Sequence, residues 1–346
     1  MKKAALKKKL TALGALLLLS GAGSQELMAD EGNKLHISGF VDASLFENQY
    51  DKSSFGLDQV EIDFEKKIDQ KLSARVDINY LPKGEDDPAT PEDEDALRFD
   101  DLVEQGYVTY SKSGFDLTFG KFNAPIGFEL LDPVDMYQYS HALVFDYGLP
   151  TNLTGMMGAY GFGEKADLAL YVVNGWDNNY DNNNSRTVGG RFGLTSAEGI
   201  NVGLSGISGK EGTTDDKLTV YDVDFTLTAV KNLTIGAEYN SGVDENVVAA
   251  GQDGEWTAYM LMANYAFSDL MSLTARYDNF DDKDGTRLDS GIAEERKAYT
   301  LAALFSLGDG AGFLAEYRLD KSDKDVFDNG LEDAQKSYAI EFTYAF

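Results

Sequence analysis

An all-β chain, closed into a transmembrane antiparallel up-and-down barrel of about sixteen strands, is what three features of the sequence predict. Apolar and polar residues alternate with a period of two along many segments. Short and long connections follow one another in turn, as they do when one rim of a barrel carries tight turns and the other carries loops. No apolar run beyond the N-terminus approaches the ~20 residues of a spanning helix. Composition agrees, since 35 Gly, 20 Phe and 19 Tyr against 6 Pro favour strands with tight turns.

The first element differs from all that follows. Lys2, Lys3, Lys7, Lys8 and Lys9 form a basic region, Leu10 to Leu19 an apolar core, and Ala22-Gly23-Ser24 a small-residue stretch. That order predicts a secretory signal peptide over 1–24, cleaved after Ser24 or alternatively after Ala29, and one β-barrel domain over 25–346. The apolar core is too short to span a bilayer.

Strands are predicted near 35–46, 55–66, 71–82, 99–110, 115–122, 153–162, 166–176, 186–195, 200–208, 218–229, 232–241, 255–267, 271–280, 296–306, 312–320 and 336–346. The last is the clearest: Tyr338, Ile340, Phe342, Tyr344 and Phe346 alternate with Ala339, Glu341, Thr343 and Ala345. One apolar and one polar face result. A soluble sandwich alternates too, but has no reason to sort its loops by parity. Connections after even strands are short, such as Lys67-Ile68-Asp69-Gln70 and Ser268-Asp269-Leu270; the others are expected to be long and acidic. In hydrocarbon only a sheet without a free edge satisfies its backbone, so the apolar face turns to lipid and the polar face to a lumen. Tyr80, Phe162, Tyr239, Phe267, Tyr317 and Phe346 are expected in the aromatic girdles at the membrane interfaces.

Charge and missing residue types exclude other classes. With 59 acidic and 30 basic residues the chain has a formal charge of −29, the wrong sign for a nucleic-acid binder. No Cys removes thiolate catalysis, disulfides and a lipid-anchored N-terminus. The two imidazoles are His36 and His141. His141 beside Ser140 suggests a nucleophile pair, but neighbours in sequence point apart and no orienting partner is apparent. No catalytic residue, cofactor or metal site is expected. Asp282-Lys283-Asp284-Gly285 and Asp323-Lys324-Asp325 look like cation loops, yet Phe280 and Gly291 stand at liganding positions of the full calcium-loop register.

Two stretches carry a resemblance. Tyr344-Ala345-Phe346 is similar to the terminal signal that bacterial barrel proteins present to the barrel assembly machinery, which implies that partner, with Phe346 as the assembly signal. Phe119-Gly120-Lys121-Phe122-Asn123-Ala124-Pro125-Ile126-Gly127, followed by Asp132-Pro133, Tyr139-Ser140, Leu149-Pro150 and Thr154-Gly155, resembles the OmpL-like porin family over some 40 residues, and more distantly the phosphate-selective porins. The resemblance implies a bacterial outer-membrane porin, in contact with membrane lipid and lipopolysaccharide, that passes small hydrophilic solutes and ions by passive diffusion. It further implies a homotrimer, and a third long connection, 123–152, folded into the lumen as a constriction loop. An outward loop over a subunit contact is the alternative.

On this reading the pore-lining and constriction residues are Arg75, Asp77, Lys121, Glu129, Asp132, Asp135, Arg191, Asp224, Glu238, Arg276, Glu316, Arg318 and Glu341. Acids outnumber bases on the inward positions, which predicts a weak cation preference. The arginines either set up a transverse field against an acidic loop or form wall ion pairs such as Glu316 with Arg318. A basic stripe for anions and a run of inward aromatics for sugars are both lacking. A substrate-specific porin, or a plugged barrel serving as adhesin or scaffold, are the remaining alternatives.

Overall fold

A computed structural model describes residues 34–80, 102–197, 199–212 and 216–346. The predicted signal peptide, with its sites after Ser24 and Ala29, and the loop acids Glu85, Asp86, Asp87, Glu92, Asp93, Glu94 and Asp95 lie outside the described residues. Among the described residues sixteen strands follow in chain order: β1 Leu35–Asn48, β2 Ser54–Lys67, β3 Leu72–Tyr80, β4 Val103–Lys112, β5 Phe115–Asn123, β6 Asn152–Gly161, β7 Ala166–Val173 and β8 Thr187–Ser196, then β9 Ile200–Lys210, β10 Lys217–Leu227, β11 Leu233–Ala249, β12 Gln252–Ala266, β13 Met271–Asp282, β14 Glu294–Gly308, β15 Ala311–Ser322 and β16 Ala334–Ala345. A short helix, α1 Leu143–Gly148, and a 3-10 turn, Pro133–Asp135, lie between β5 and β6.

Each strand pairs antiparallel with its sequence neighbours, and β1 pairs with β16 from Phe40↔Ala345 to Asn48↔Ser337, so the barrel is closed. Closure leaves no edge with unpaired backbone groups. Tight turns at one rim enforce the up-and-down order: Ser113-Gly114 and Asp309-Gly310 both hold positive φ, the two-residue hairpin geometry that matches strand twist.

The alternation assigns the faces as predicted. On β16 Ser337, Ala339 and Glu341 are buried while Tyr338, Ile340, Phe342 and Tyr344 are exposed. Outward tyrosines form a ladder, Tyr239↔Tyr259, Tyr277↔Tyr299 and Tyr317↔Tyr338 being direct cross-strand partners. Tyr265, Phe267, Phe305, Phe313, Tyr344 and Phe346 form contacting ring pairs near the short-turn ends. Amphipathic rings in such positions anchor a barrel at its two interfaces.

Two expectations need correction. Connections after β1, β9 and β11 are not long: they span 49–53, 211–216 and 250–251. β11 and β12 extend into one hairpin: their ladder runs from Leu233↔Tyr265 to Asp244↔Gly254, is interrupted where residues 245–248 stand opposite residue 253, and closes at Ala249↔Gln252. The inner wall is also not polar throughout. Trp256, Ala258, Met260 and Met262 on β12, and Ala169, Tyr171 and Val173 on β7, are buried on the inner face beside outward apolar partners such as Leu261 and Leu170. Unbroken apolar runs, Leu168–Val173 and Ala258–Ala263, mark strands covered on both faces.

Candidate functional site

The segment 124–151 supplies the cover for that apolar sector. Ile126, Phe128, Leu143, Val144 and Leu149 pack with Leu153, Val173, Val220, Trp256, Met260 and Phe280 in one buried cluster. Burial of this kind contributes about 25 cal/mol per Å² of apolar surface. Glycines on β11 make room: a Cβ at Gly236 would collide with the Phe128 ring, and one at Gly242 with the Trp256 ring. Phe128 N–H donates to Glu238 at 2.8 Å, fixing the start of the segment to β11.

The polar middle of the segment is clasped by inward side chains of β13, β15 and β1. Arg276 is fully buried and donates to Glu129 (2.9 Å), to the carbonyls of Ser140 (2.5 Å) and His141 (2.8 Å), and to Asp278 (2.9 Å). Arg318 donates to the same His141 carbonyl at 2.8 Å and to both oxygens of Asp320 at 3.0 Å. Glu316 accepts the backbone N–H of Tyr139 (2.8 Å) and Ser140 (3.3 Å). The Tyr139 hydroxyl lies 3.2 Å from the Ser44 hydroxyl, and its ring stacks on Phe46. Glu129 closes the knot from within, accepting from Ala142 N–H at 2.6 Å and from Gln138. Burial pushes the Asp146 carboxyl above its ordinary range, while His141 and Arg318 draw it back.

Of the two roles foreseen for the arginines, the structure corrects one partner: Arg318 pairs with Asp320, and Glu316 is given to the segment's backbone. Both carboxylates stand two residues from Arg318 on one face, but that of Glu316 is occupied by Tyr139 and Ser140 N–H. Arg75-x-Asp77, Arg276-x-Asp278 and Arg318-x-Asp320 share the two-residue spacing on one face. That repeated spacing was readable in the sequence. Arg191 on β8 instead reaches over β9 to Asp224 on β10, a buried bidentate pair. It passes above Gly203, where any Cβ would collide with both groups. Gly203→Ala is expected to unseat the pair and lower stability by about 3 kcal/mol, since a buried charge loses its partner; the urea midpoint of the lipid-refolded barrel measures it.

The remaining predicted residues are distributed as follows. Asp77 accepts from Arg75 at 2.8 Å and from Gln105, and Arg75 also reaches Asp63 at 3.5 Å. Asp132, Glu129 and Asp135 line, with Arg75, Gln105 and Tyr107, a cavity of about 280 Å³ between the segment and the β3–β6 wall. Its own burial, then Glu104, Asp135 and Asp63, push the Asp132 carboxyl well above its ordinary range. Asp135 and Glu341 also line a second cavity, of about 120 Å³. Lys121 is a correction: it shares the strand parity of the outward Leu117 and Phe119 on β5, the latter 66% exposed, and its ammonium donates to the Val103 carbonyl at 3.0 Å.

The foreseen enzyme and cation-loop features take other uses. Ser140 Oγ accepts from Arg276 at 3.2 Å, while the His141 ring contacts the Leu130 carbonyl and stacks on Phe145, so the two do not form a nucleophile–base pair. Asp282 accepts three backbone N–H groups, from Thr286, Arg287 and Leu288, and Asp284 accepts that of Glu255. Arg287 stands between Trp176 and Trp256, its guanidinium 5.0 and 4.6 Å from the ring centroids.

A family model described as "Putative beta-barrel porin-2, OmpL-like" matches residues 30–346. No curated protein sequence matches the chain. Among solved structures, Salmonella typhi OmpF in complex with daunomycin is similar at 16% identity and a TM-score of 0.66, over 91% of this chain and 98% of that one. The trimer form of Vibrio cholerae OmpT is similar at 14% identity and a TM-score of 0.63, over 91% and 100%. An anion-selective porin from Comamonas acidovorans is similar at 13% identity and a TM-score of 0.64, also over 91% and 100%. At such identities the likeness establishes the fold alone.

Proposed function

Because the chain belongs to the OmpL-like beta-barrel porin-2 family of outer-membrane barrels, we propose that it forms a water-filled channel for passive diffusion of small hydrophilic solutes and ions, with a weak preference for cations. The observation that carries this reading is the clasp. A segment rooted at β5 and β6 is hydrogen-bonded to inward side chains of β13, halfway round a sixteen-strand ring, and of β15 and β1. It thereby acts as the constriction, with the two cavities beside it as parts of the passage.

The sign of the preference comes from the wall. Buried acids such as Asp42, Glu61, Asp222, Asp278 and Glu341 outnumber the buried arginines, and Arg75, Arg191, Arg276 and Arg318 are each already paired with a carboxylate. A net negative lumen concentrates cations within a Debye length of about 10 Å at 0.1 M salt. The fold does not set this sign, since a barrel of like architecture is described as anion-selective. Export by an N-terminal signal over 1–24, recognition of Phe346 by the barrel assembly machinery, and contact with lipopolysaccharide complete the reading. A homotrimer is supported by the trimer form of a similar structure and by aliphatic outward residues on β1–β3, among them Ile37, Leu57, Ile62 and Ile78, where β11–β16 carry tyrosines.

Planar-bilayer recording across a KCl gradient tests the proposal. Discrete conductance steps with a cation-signed reversal potential are expected; no steps would reject the channel, and an anion-signed potential would reject the acidic-lumen reasoning. Comparing the gel migration of unheated and boiled protein tests the trimer.

A further inference from the structure

Glu61 on β2, Glu104 at the start of β4 and Asp132 in the 124–151 segment bring one carboxylate oxygen each to within 4.8 Å of the others. Three carboxylates so close repel one another unless a cation or protons lie among them. Nearby positive charge is committed elsewhere: Arg75 donates to both oxygens of Asp77 and reaches Asp63. In a second acidic trio, Glu61, Asp63 and Asp77, the two aspartates are therefore already served, with Ser38 also donating to Asp63.

The first trio is different because it is joined by buried oxygens that no donor among the described residues satisfies. Glu61 is 1% exposed, and its Oε2 is one of them. Asn79, the register partner of Glu61, is 4% exposed; its Nδ2 donates to Glu104 at 2.7 Å, while its Oδ1 is a second. Asp132 stands at the head of the 3-10 turn without capping it, and its Oδ1 is a third. Buried polar atoms are rarely left so, and three carboxylates with the orphan amide oxygen of a residue hydrogen-bonded to one of them and paired with another offer hard oxygen donors. Oxygen ligands of a calcium ion lie at 2.3–2.6 Å, so a span of 4.8 Å or less is what donors on one such ion can occupy.

We propose that Glu61, Glu104 and Asp132, with the Asn79 carbonyl, bind one divalent cation of the calcium class, which fastens the 124–151 segment to the wall at β2 and β4. The clasp on β13 and β15 holds one side of the segment, and the ion holds the other. The site is independent of conductance and stands or falls separately from the channel reading.

The test uses the full-length chain, purified in detergent, stripped with a chelator and titrated with CaCl₂ by calorimetry, with terbium luminescence as a second readout. One Ca²⁺ per chain is expected, bound more tightly than Mg²⁺, because a flexible oxygen cage does not meet the octahedral demand of the smaller ion. Glu61→Gln and Asp132→Asn are each expected to weaken it about tenfold or more through loss of a charged ligand. Asp132→Asn alters only the inserted segment, so it serves if Glu61→Gln fails to give a heat-modifiable barrel. Asp284→Asn with Asp325→Asn, in exposed loops, should leave binding unchanged. A folded chain that takes up no Ca²⁺, one that prefers Mg²⁺, or uptake abolished only by the loop substitutions would overturn the assignment.

Discussion

Replacing Arg276 by Met should free the middle of the 124–151 segment and raise single-channel conductance. This guanidinium holds Glu129 and the carbonyls of Ser140 and His141 together. Its removal takes a donor from Glu129 and from the His141 carbonyl, and takes from the Ser140 carbonyl and from Asp278 the donor that serves them. Losing one member of a buried charge cluster costs about 3–5 kcal/mol, and here most of the loss falls on the attachment of the segment, since the barrel ladders are untouched. Larger conductance, faster proteolysis between 124 and 151, and an intact heat-modifiable barrel are the joint expectation. Arg276→Lys should rescue little, because a point-like ammonium cannot reproduce the fork that serves three acceptors at once. Unchanged conductance and proteolysis in the Met variant would show that the apolar packing of Phe128 and Leu143 suffices.

Deleting Phe346 is the other change of large effect. Its N–H donates to Gly39 O at 3.0 Å and its carbonyl accepts from Gly39 N at 3.3 Å, completing the β1–β16 seam. The ring lies against Gly39, where a Cβ would crowd it. Without the residue, both Gly39 groups at the barrel seam lose their partners, and an unsatisfied backbone group in hydrocarbon costs several kcal/mol. The fraction of heat-modifiable barrel recovered from membranes should fall steeply. Refolding into lipid vesicles separates the two contributions: a defect that persists there belongs to the seam, and one seen only in cells belongs to recognition by the assembly machinery.

The parts of the molecule legible in the sequence are those governed by neighbours. Strands from Leu35–Asn48 to Ala334–Ala345 follow from a period of two, and the exposed row Tyr338, Ile340, Phe342 and Tyr344 is the row its alternation assigned. The Arg-x-Asp spacing at 75, 276 and 318 was equally local, and it specifies the wall ion pairs better than adjacency in an acidic lumen does. Unbroken apolar runs in β7 and β12 already marked where the inner face would be covered.

What no local pattern contains is the meeting of Arg276 with Glu129 across 147 positions, of Arg318 with His141 across 177, or of Glu61 with Glu104 and Asp132. By itself the sequence determined the number of strands, the direction most strand side chains face, Lys121 excepted, and the excess of negative charge. Only the closed barrel decided which inward groups are neutralised, which hydrogen-bond the 124–151 segment and which remain unsatisfied. The reason is that alternation is fixed by backbone geometry within a few residues, whereas partners across a lumen are set by ring closure and by where one long segment comes to rest.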